Sequence, residues 1–120
     1  MEPRTLARAI ALGRIAFGAT VVLAPRLVID RQRQAPGPVV WFVRAFGIRD
    51  VAIGAGTFRA LSAATGGEAD WVALSAATDA ADATAAVIFG RDLDRRLQAL
   101  TLAMAVPAAL AGWKAAGALR

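Results

Sequence analysis

Five charged side chains lie near the centres of the apolar segments of this 120-residue chain, and their types and spacing make them the strongest candidates for chemistry. Arg14 lies in the first apolar segment, and Arg49 and Asp50 are adjacent in the second. Asp79 and Asp82 lie one helical turn apart in the third. In apolar surroundings a carboxyl group can exchange protons or act as a general acid, and a guanidinium can hold an anionic group. The sequence therefore predicts one polar site, with no catalytic role assigned.

A sixth charged residue, Arg44, is a further candidate for this site. It precedes Asp50 by about 1.5 helical turns, and its long side chain can reach either inward or to the membrane surface. If Arg44 is counted, three arginines meet three aspartates. The expected cluster is then electrically neutral.

Composition excludes several classes of site. The chain has no Cys, His or Tyr. It therefore lacks disulfides, thiolate metal sites, a Cys nucleophile and the commonest general base. We predict neither a metal nor a cofactor. The net charge is +5, but the arginines are scattered between apolar runs without interleaved aromatic residues, so no nucleic-acid partner is predicted.

The elements that must position these charges are long apolar helices. Hydrophobic residues make up 58% of the chain, whereas soluble domains have about 45–50%. The first run would be about 28 Å long as a helix, close to the hydrocarbon thickness of about 30 Å. We predict an all-α fold, a bundle of four transmembrane helices forming one domain over residues 1–120, with helices at about 6–24, 39–61, 71–90 and 97–112.

Three tryptophans support a lipid bilayer as the surroundings of this bundle. Trp41 and Trp71 open the second and third predicted helices, and Trp113 closes the fourth. Indole rings favour the membrane–water interface. The alternative is a soluble bundle with its charges outward. The fourth predicted helix argues against it, because that helix has no charged residue.

Charges at the centre of a membrane helix must pair. Each costs about 2.5–3.5 kcal/mol on insertion scales. Helical spacing puts each of these charges on a stripe of small residues, which mark contacts between membrane helices. The predicted buried stripes are Ala7, Ala11, Arg14 and Gly18; Gly47, Asp50, Gly54 and Thr57, with Ala45, Arg49, Ala52 and Gly56 beside it; Ser75, Asp79, Asp82 and Ala86; and Thr101, Ala105, Ala108 and Gly112.

The ends of the predicted helices carry further signals. A basic, proline-containing loop is predicted over residues 26–38, and Asp70 is the predicted N-cap of the third helix. Pro107 is a possible kink in the fourth helix. The loop containing Glu68 and Asp70 has no Lys or Arg, which favours placing this loop and both termini outside the cell. The nearly equal numbers of basic residues on the two sides also permit insertion in both directions.

The segment from Arg44 to Gly54 reads RAFGIRDVAIG. It resembles the hallmark of small four-helix bacterial membrane proteins of unknown function that are loosely grouped as DoxX-like. The resemblance implies a four-helix bundle in the bacterial cytoplasmic membrane and assigns neither an activity nor ligand residues. The excess of Arg over Lys is also typical of a GC-rich bacterial genome.

Three functions remain open. A small carrier or channel requires a water-accessible cavity at the charges. A structural or accessory subunit of a membrane complex predicts a dry, fully paired network and a membrane protein partner. An enzyme acting on a lipid-soluble substrate requires an unpaired Asp as general acid, so enzymatic activity is undecided. The bundle is expected to self-associate into a homo-oligomer, although a homo-oligomer isolated without partners would count against the accessory subunit.

Overall fold

The computed structural model describes residues 1–29, 35–63 and 66–120, and these residues form helices with no strand. Two predicted features, the basic loop and the start of the loop after the second long helix, lie partly outside the described residues. The elements are α1 (Pro3–Leu23), α2 (Arg26–Ile29), α3 (Gly37–Ala63), α4 (Glu68–Ile88), a 3-10 turn (Gly90–Asp92) and α5 (Arg95–Leu119).

The four long helices form an elongated bundle of 45 × 26 × 21 Å. It consists of two helix pairs, α1 with α3 and α4 with α5, within which contacts are most extensive. The four predicted long helices thus exist, with ends displaced by a few residues. The all-helical prediction is confirmed.

Several local predictions are wrong. The short helix α2 occupies the start of the predicted loop. Asp70 is not an N-cap, because α4 already begins at Glu68, whose carboxylate accepts a hydrogen bond from the Gly66 amide at 3.0 Å. The last helix continues seven residues beyond the predicted end at 112, to Leu119. Pro107 lies inside this helix, as predicted.

Glycines allow α1 and α3 to approach backbone to backbone. A Cβ atom on Gly18 would lie 2.5 Å from the Gly47 carbonyl oxygen, and one on Gly54 would lie 2.7 Å from the carbonyl oxygen of Ala11. No side chain fits at these positions without moving a helix. The glycines therefore set the register that brings Arg14 beside Asp50.

The bundle is closed at the end that contains the chain termini. Its core there is small and apolar: Ala7, Leu61, Val72, Ala115 and Ala116. Arg4 fastens this end, since its Nη1 donates to the Leu61 carbonyl oxygen at 3.0 Å and its Nη2 pairs with Glu68 Oε1 at 2.5 Å.

Many large apolar side chains lie on the surface of the bundle, including all three tryptophans, whereas Arg14, Asp50 and Asp79 are buried among small residues. Two of the described helices, α1 and α5, are long and apolar enough to span a membrane, and only 28% of each apolar window is buried. The most exposed large apolar residues inside the long helices are Leu23, Trp41, Phe42, Ile48, Val87, Ile88 and Leu110.

Candidate functional site

Arg14 is the centre of a buried polar network in the middle of the bundle. Its side chain is only 6% exposed, and each of its three guanidinium nitrogens donates to a protein acceptor. Nη1 donates to Asp50 Oδ1 at 2.6 Å, and Nε donates to Ser75 Oγ at 2.8 Å. Nη2 donates to the Ser75 carbonyl oxygen at 3.0 Å and also pairs with Asp79. One side chain from α1 thus links α3 to α4.

Arg49 forms the second ion pair of the network. Its Nη2 donates to Asp82 Oδ2 at 2.6 Å and its Nη1 donates to Asp82 Oδ1 at 3.2 Å, so the pair is bidentate. Nη2 also lies 3.7 Å from Asp50 Oδ1. The guanidinium carbon stacks 4.4 Å from the centre of the Phe46 ring, an arrangement that favours a delocalised cation.

The structure brings together five of the six residues predicted from the sequence. Together with Ser75 they form the charge network, which consists of Arg14, Arg49, Asp50, Ser75, Asp79 and Asp82. Ser75 was predicted to lie on the buried stripe but not to bind Arg14. The sequence does not predict this contact, because the contact depends on how α4 is rotated against α1.

Arg44 does not join the charge network. It is exposed, and its Nε donates to the Val22 carbonyl oxygen at 3.0 Å, near the end of α1. The expected neutral cluster is therefore wrong. With two arginines and three aspartates, the charge network has one negative charge in excess when all its groups are ionised.

A cleft of about 970 Å³ lies between the two helix pairs, with the charge network at its inner end. The cleft runs toward the end of the bundle that carries α2 and the 3-10 turn. Arg96 fastens α2 there, because its Nη1 donates to the Val28 carbonyl oxygen at 3.3 Å. The walls are mainly apolar and include Ile10, Phe17, Val21, Leu27, Val43, Phe46, Phe89, Leu97, Leu100, Met104 and Ala108.

One oxygen of the charge network has no hydrogen-bond donor. Asp79 lines the cleft, and its Oδ1 is paired with Arg14. Its Oδ2 is buried and accepts no hydrogen bond from any of the described residues. A buried carboxylate oxygen without a donor is costly. It therefore offers a place for a proton, and a donor group of a ligand in the cleft reaches it only when the Asp79 side chain turns toward the cleft.

The charge network is not arranged as a metal site. Among the described residues, no group of three or more His, Cys, Asp or Glu side chains is placed to hold a metal ion. The oxygens that a hard cation would need instead accept hydrogen bonds from Arg14 and Arg49.

Arg4 and Glu68 form a separate ion pair outside the charge network, at the closed end of the bundle. Hydrogen bonds from its own backbone amide and from the Gly66 amide, together with the Arg4 guanidinium, hold the pKa of Glu68 below its ordinary value. This carboxylate also lies at the N-terminus of α4, where the helix dipole favours a negative charge.

No protein-family model, no curated protein and no solved structure matches this chain. Its function is therefore inferred from its own residues and geometry.

Proposed function

We propose that the chain is a four-span membrane protein that carries a small solute, with the cleft as the binding site and Asp79 as a proton-exchanging group. The observation that carries this proposal is the cleft of about 970 Å³ with the charge network at its inner end. Cavities of about 300–1,000 Å³ are typical of small-molecule sites.

The exposed apolar surface supports the proposal that a lipid bilayer surrounds the bundle. A soluble bundle would bury Ile48, Leu110 and Trp113 and expose its charges, whereas here these three side chains are 60%, 68% and 50% exposed. In lipid, the same arrangement removes the cost of exposing them to water. Buried ion pairs among small residues then lower the cost of charges at the helix centres.

The ion pairs also suggest how proton exchange and opening are coupled. Arg14 belongs to the α1–α3 pair and Asp79 to the α4–α5 pair; Arg49 and Asp82 likewise join the two pairs. Protonation of either carboxyl group removes the negative charge that holds its arginine. The two helix pairs are then freer to separate at the cleft, while the apolar core keeps the other end closed.

The two alternatives fit the site less well. An accessory subunit predicts a dry and fully paired network, whereas Asp79 Oδ2 has no donor among the described residues and the network borders a cleft. The enzyme requires an unpaired Asp on α4, but Asp79 and Asp82 are each bound by an arginine. The bacterial cytoplasmic membrane, self-association and the DoxX-like relationship belong to this proposal.

Single-cysteine labelling distinguishes a carrier from an accessory subunit, and it has no background because the chain has no Cys. Gly13 lines the cleft, and a Cβ atom there meets nothing within 4 Å. Its neighbour Leu12 is 52% exposed and does not line the cleft. The matched variants are Gly13→Cys and Leu12→Cys, treated in membrane vesicles with a small water-soluble methanethiosulfonate.

The carrier predicts that Gly13→Cys reacts at least about tenfold faster than Leu12→Cys, because thiolates react only where water ionises them. Both variants should react equally after denaturation in SDS. A Gly13→Cys variant that is as unreactive as Leu12→Cys in vesicles would mean a dry network, and the carrier would be rejected in favour of the accessory subunit.

A further inference from the structure

We infer that the solute bound in the cleft is an organic cation, a primary ammonium group on an apolar body. This inference rests on the proposed function and specifies its substrate class. The ammonium group would lie at Asp79, and the apolar body would extend along the cleft toward α2.

Charge gives the first reason. Arg14, Asp50, Asp79 and Asp82 line the cleft, and Arg49 is paired with Asp82. When all its groups are ionised, the charge network therefore has an excess of one negative charge. At the far end of the cleft the lining includes one carboxylate, Asp92, and one guanidinium, Arg96, so their formal charges sum to zero. A monovalent cation at the inner end would neutralise the site, whereas an anion would add to the excess.

Hydrogen bonding gives the second reason. Two buried polar atoms of the charge network have no partner among the described residues, the Arg49 Nε donor and the Asp79 Oδ2 acceptor. Asp79 lines the cleft and is 8% exposed as a whole residue, whereas Arg49 does not line the cleft, so the unpartnered group on the cleft side is an acceptor. An ammonium group supplies donors and no acceptor. Arg14 is a poor anion site by comparison, since each of its guanidinium nitrogens already donates to Asp50, Ser75 or Asp79.

The walls of the cleft give the third reason. Phe17, Phe46 and Phe89 are all on the cleft wall, with aliphatic side chains between them. Burial of apolar ligand surface contributes about 25 cal/mol per Å². Aromatic faces also attract cations. A small hydrophilic cation would leave most of this apolar wall without a partner.

The test uses two probes of similar size and opposite charge, phenylbutylammonium and phenylbutyrate. Their binding to the purified protein in detergent is measured by isothermal titration calorimetry, with empty micelles subtracted. We expect the ammonium to bind at least about tenfold more tightly, equivalent to about 1.4 kcal/mol. Equal affinity, or tighter binding of phenylbutyrate, would overturn the inference.

Two variants that remove the same charge locate the ammonium group. Asp79→Asn keeps an oxygen for Arg14 but puts an amide donor in place of Oδ2. Asp70→Asn removes an exposed carboxylate near the start of the same helix, outside the cleft. We expect Asp79→Asn to weaken ammonium binding about tenfold and Asp70→Asn to leave it within about twofold. An equal loss in both variants would show a diffuse effect of charge and would reject the site.

A steric pair keeps the test valid if Asp79→Asn does not fold. Ala108 lines the cleft, whereas Leu110 faces outward and is 68% exposed. Ala108→Trp should abolish ammonium binding, and Leu110→Trp should preserve it. Binding that survives in Ala108→Trp would place the probe outside the cleft and would overturn the inference.

The inferred substrate class can be wrong while the proposed carrier function is right. If Gly13→Cys is water-accessible but the two probes bind equally, the substrate class is wrong and the carrier stands. If Gly13→Cys is as unreactive as Leu12→Cys in vesicles, the carrier itself fails. Proton release on binding would connect the substrate class with the carrier function, because an ammonium ion that displaces a proton from Asp79 sends that proton to the buffer.

Discussion

At the scale of single residues, the charge network is held by geometry more than by net attraction. Placing Arg14 and Asp50 among small apolar residues costs desolvation, and their interaction offsets it only while both partners remain. Removing one partner leaves the other buried and unpaired. The consequences of substitution therefore depend on what is left behind.

Asp50 provides the first prediction. Asp50→Ala should destabilise the protein by about 3–5 kcal/mol, because Arg14 Nη1 loses its acceptor. Asp50→Asn should cost less, since its amide oxygen can still accept from Nη1. The measurement is thermal unfolding of both variants in detergent. Equal stability of the two variants would contradict the pairing.

Arg14 and Arg44 provide a matched pair of arginines. Arg14→Met should leave two aspartates and Ser75 without their donor, and we expect a loss of about 3–5 kcal/mol. Arg44→Met removes an exposed arginine that donates to the Val22 carbonyl oxygen, so its expected effect is within about 0.5 kcal/mol. Denaturant unfolding monitored by tryptophan fluorescence compares them, and similar losses would refute the assignment of Arg44 to the surface.

Glu68 provides a pH-dependent prediction at the closed end. Its pKa in the folded protein is held below the ordinary value of 4.5, first by its own backbone amide. A carboxyl group with a lowered pKa stabilises the fold above its unfolded pKa, and this contribution is lost as pH falls through the folded pKa. Wild type should therefore be more heat-stable than Glu68→Gln near about pH 7, and the difference should shrink as the pH is lowered below about 4. A difference that grows at low pH would contradict this account.

At the scale of the helices, spacing predicted the buried faces well. The stripes containing Arg14, Asp50 and Asp79 are the buried faces of α1, α3 and α4. The stripe on α5 was only partly right, since Ala109 is buried there and Ala108 is half-buried. The predicted range 97–112 is rich in alanine and has no charged residue, so its sequence does not distinguish which face is buried.

Helix ends were predicted less well, for a physical reason. Asp70 has the residue type of an N-cap, but the backbone and guanidinium contacts of Glu68 let α4 start earlier. The N-cap of α5 is Asp94, which accepts from the Leu97 amide at 2.7 Å. When several residues near a helix end can cap it, tertiary contacts decide which one does.

The close approach of α1 and α3 yields a prediction with a control on the same helix. Gly18→Ala should destabilise by about 1–3 kcal/mol, because the added methyl group overlaps the Gly47 carbonyl oxygen and forces the helices apart. Gly13→Ala has free space and should be stabilising by up to about 1 kcal/mol through helix propensity. Thermal unfolding of the two variants measures the difference. A Gly18→Ala variant as stable as Gly13→Ala would rule out the close approach.

At the scale of the whole molecule, composition and charge predicted an all-helical bundle and the meeting of five charged residues. The cleft was not predictable, because it arises where two helix pairs diverge, and pattern along one helix does not report that divergence. The position of Arg44 was not predictable either. From the sequence, a side chain of that length could reach the charge network or the Val22 carbonyl with equal ease.

The proposed function requires the charge network to lie at the centre of a bilayer, and depth-dependent quenching measures this directly. A variant with Ile48→Trp as its only tryptophan places the probe beside Arg49, on the outward face of α3. A second variant retains only Trp41, near the end of the same helix. Both are reconstituted in lipids brominated either near the headgroup or near the end of the acyl chain.

We predict that bromines near the chain end quench the indole of the Ile48→Trp variant most strongly and that bromines near the headgroup quench Trp41 most strongly. This order would place the charge network at the bilayer centre and the helix end at the interface. Equal, weak quenching of both probes, or quenching of position 48 mainly by headgroup bromines, would contradict the central claim.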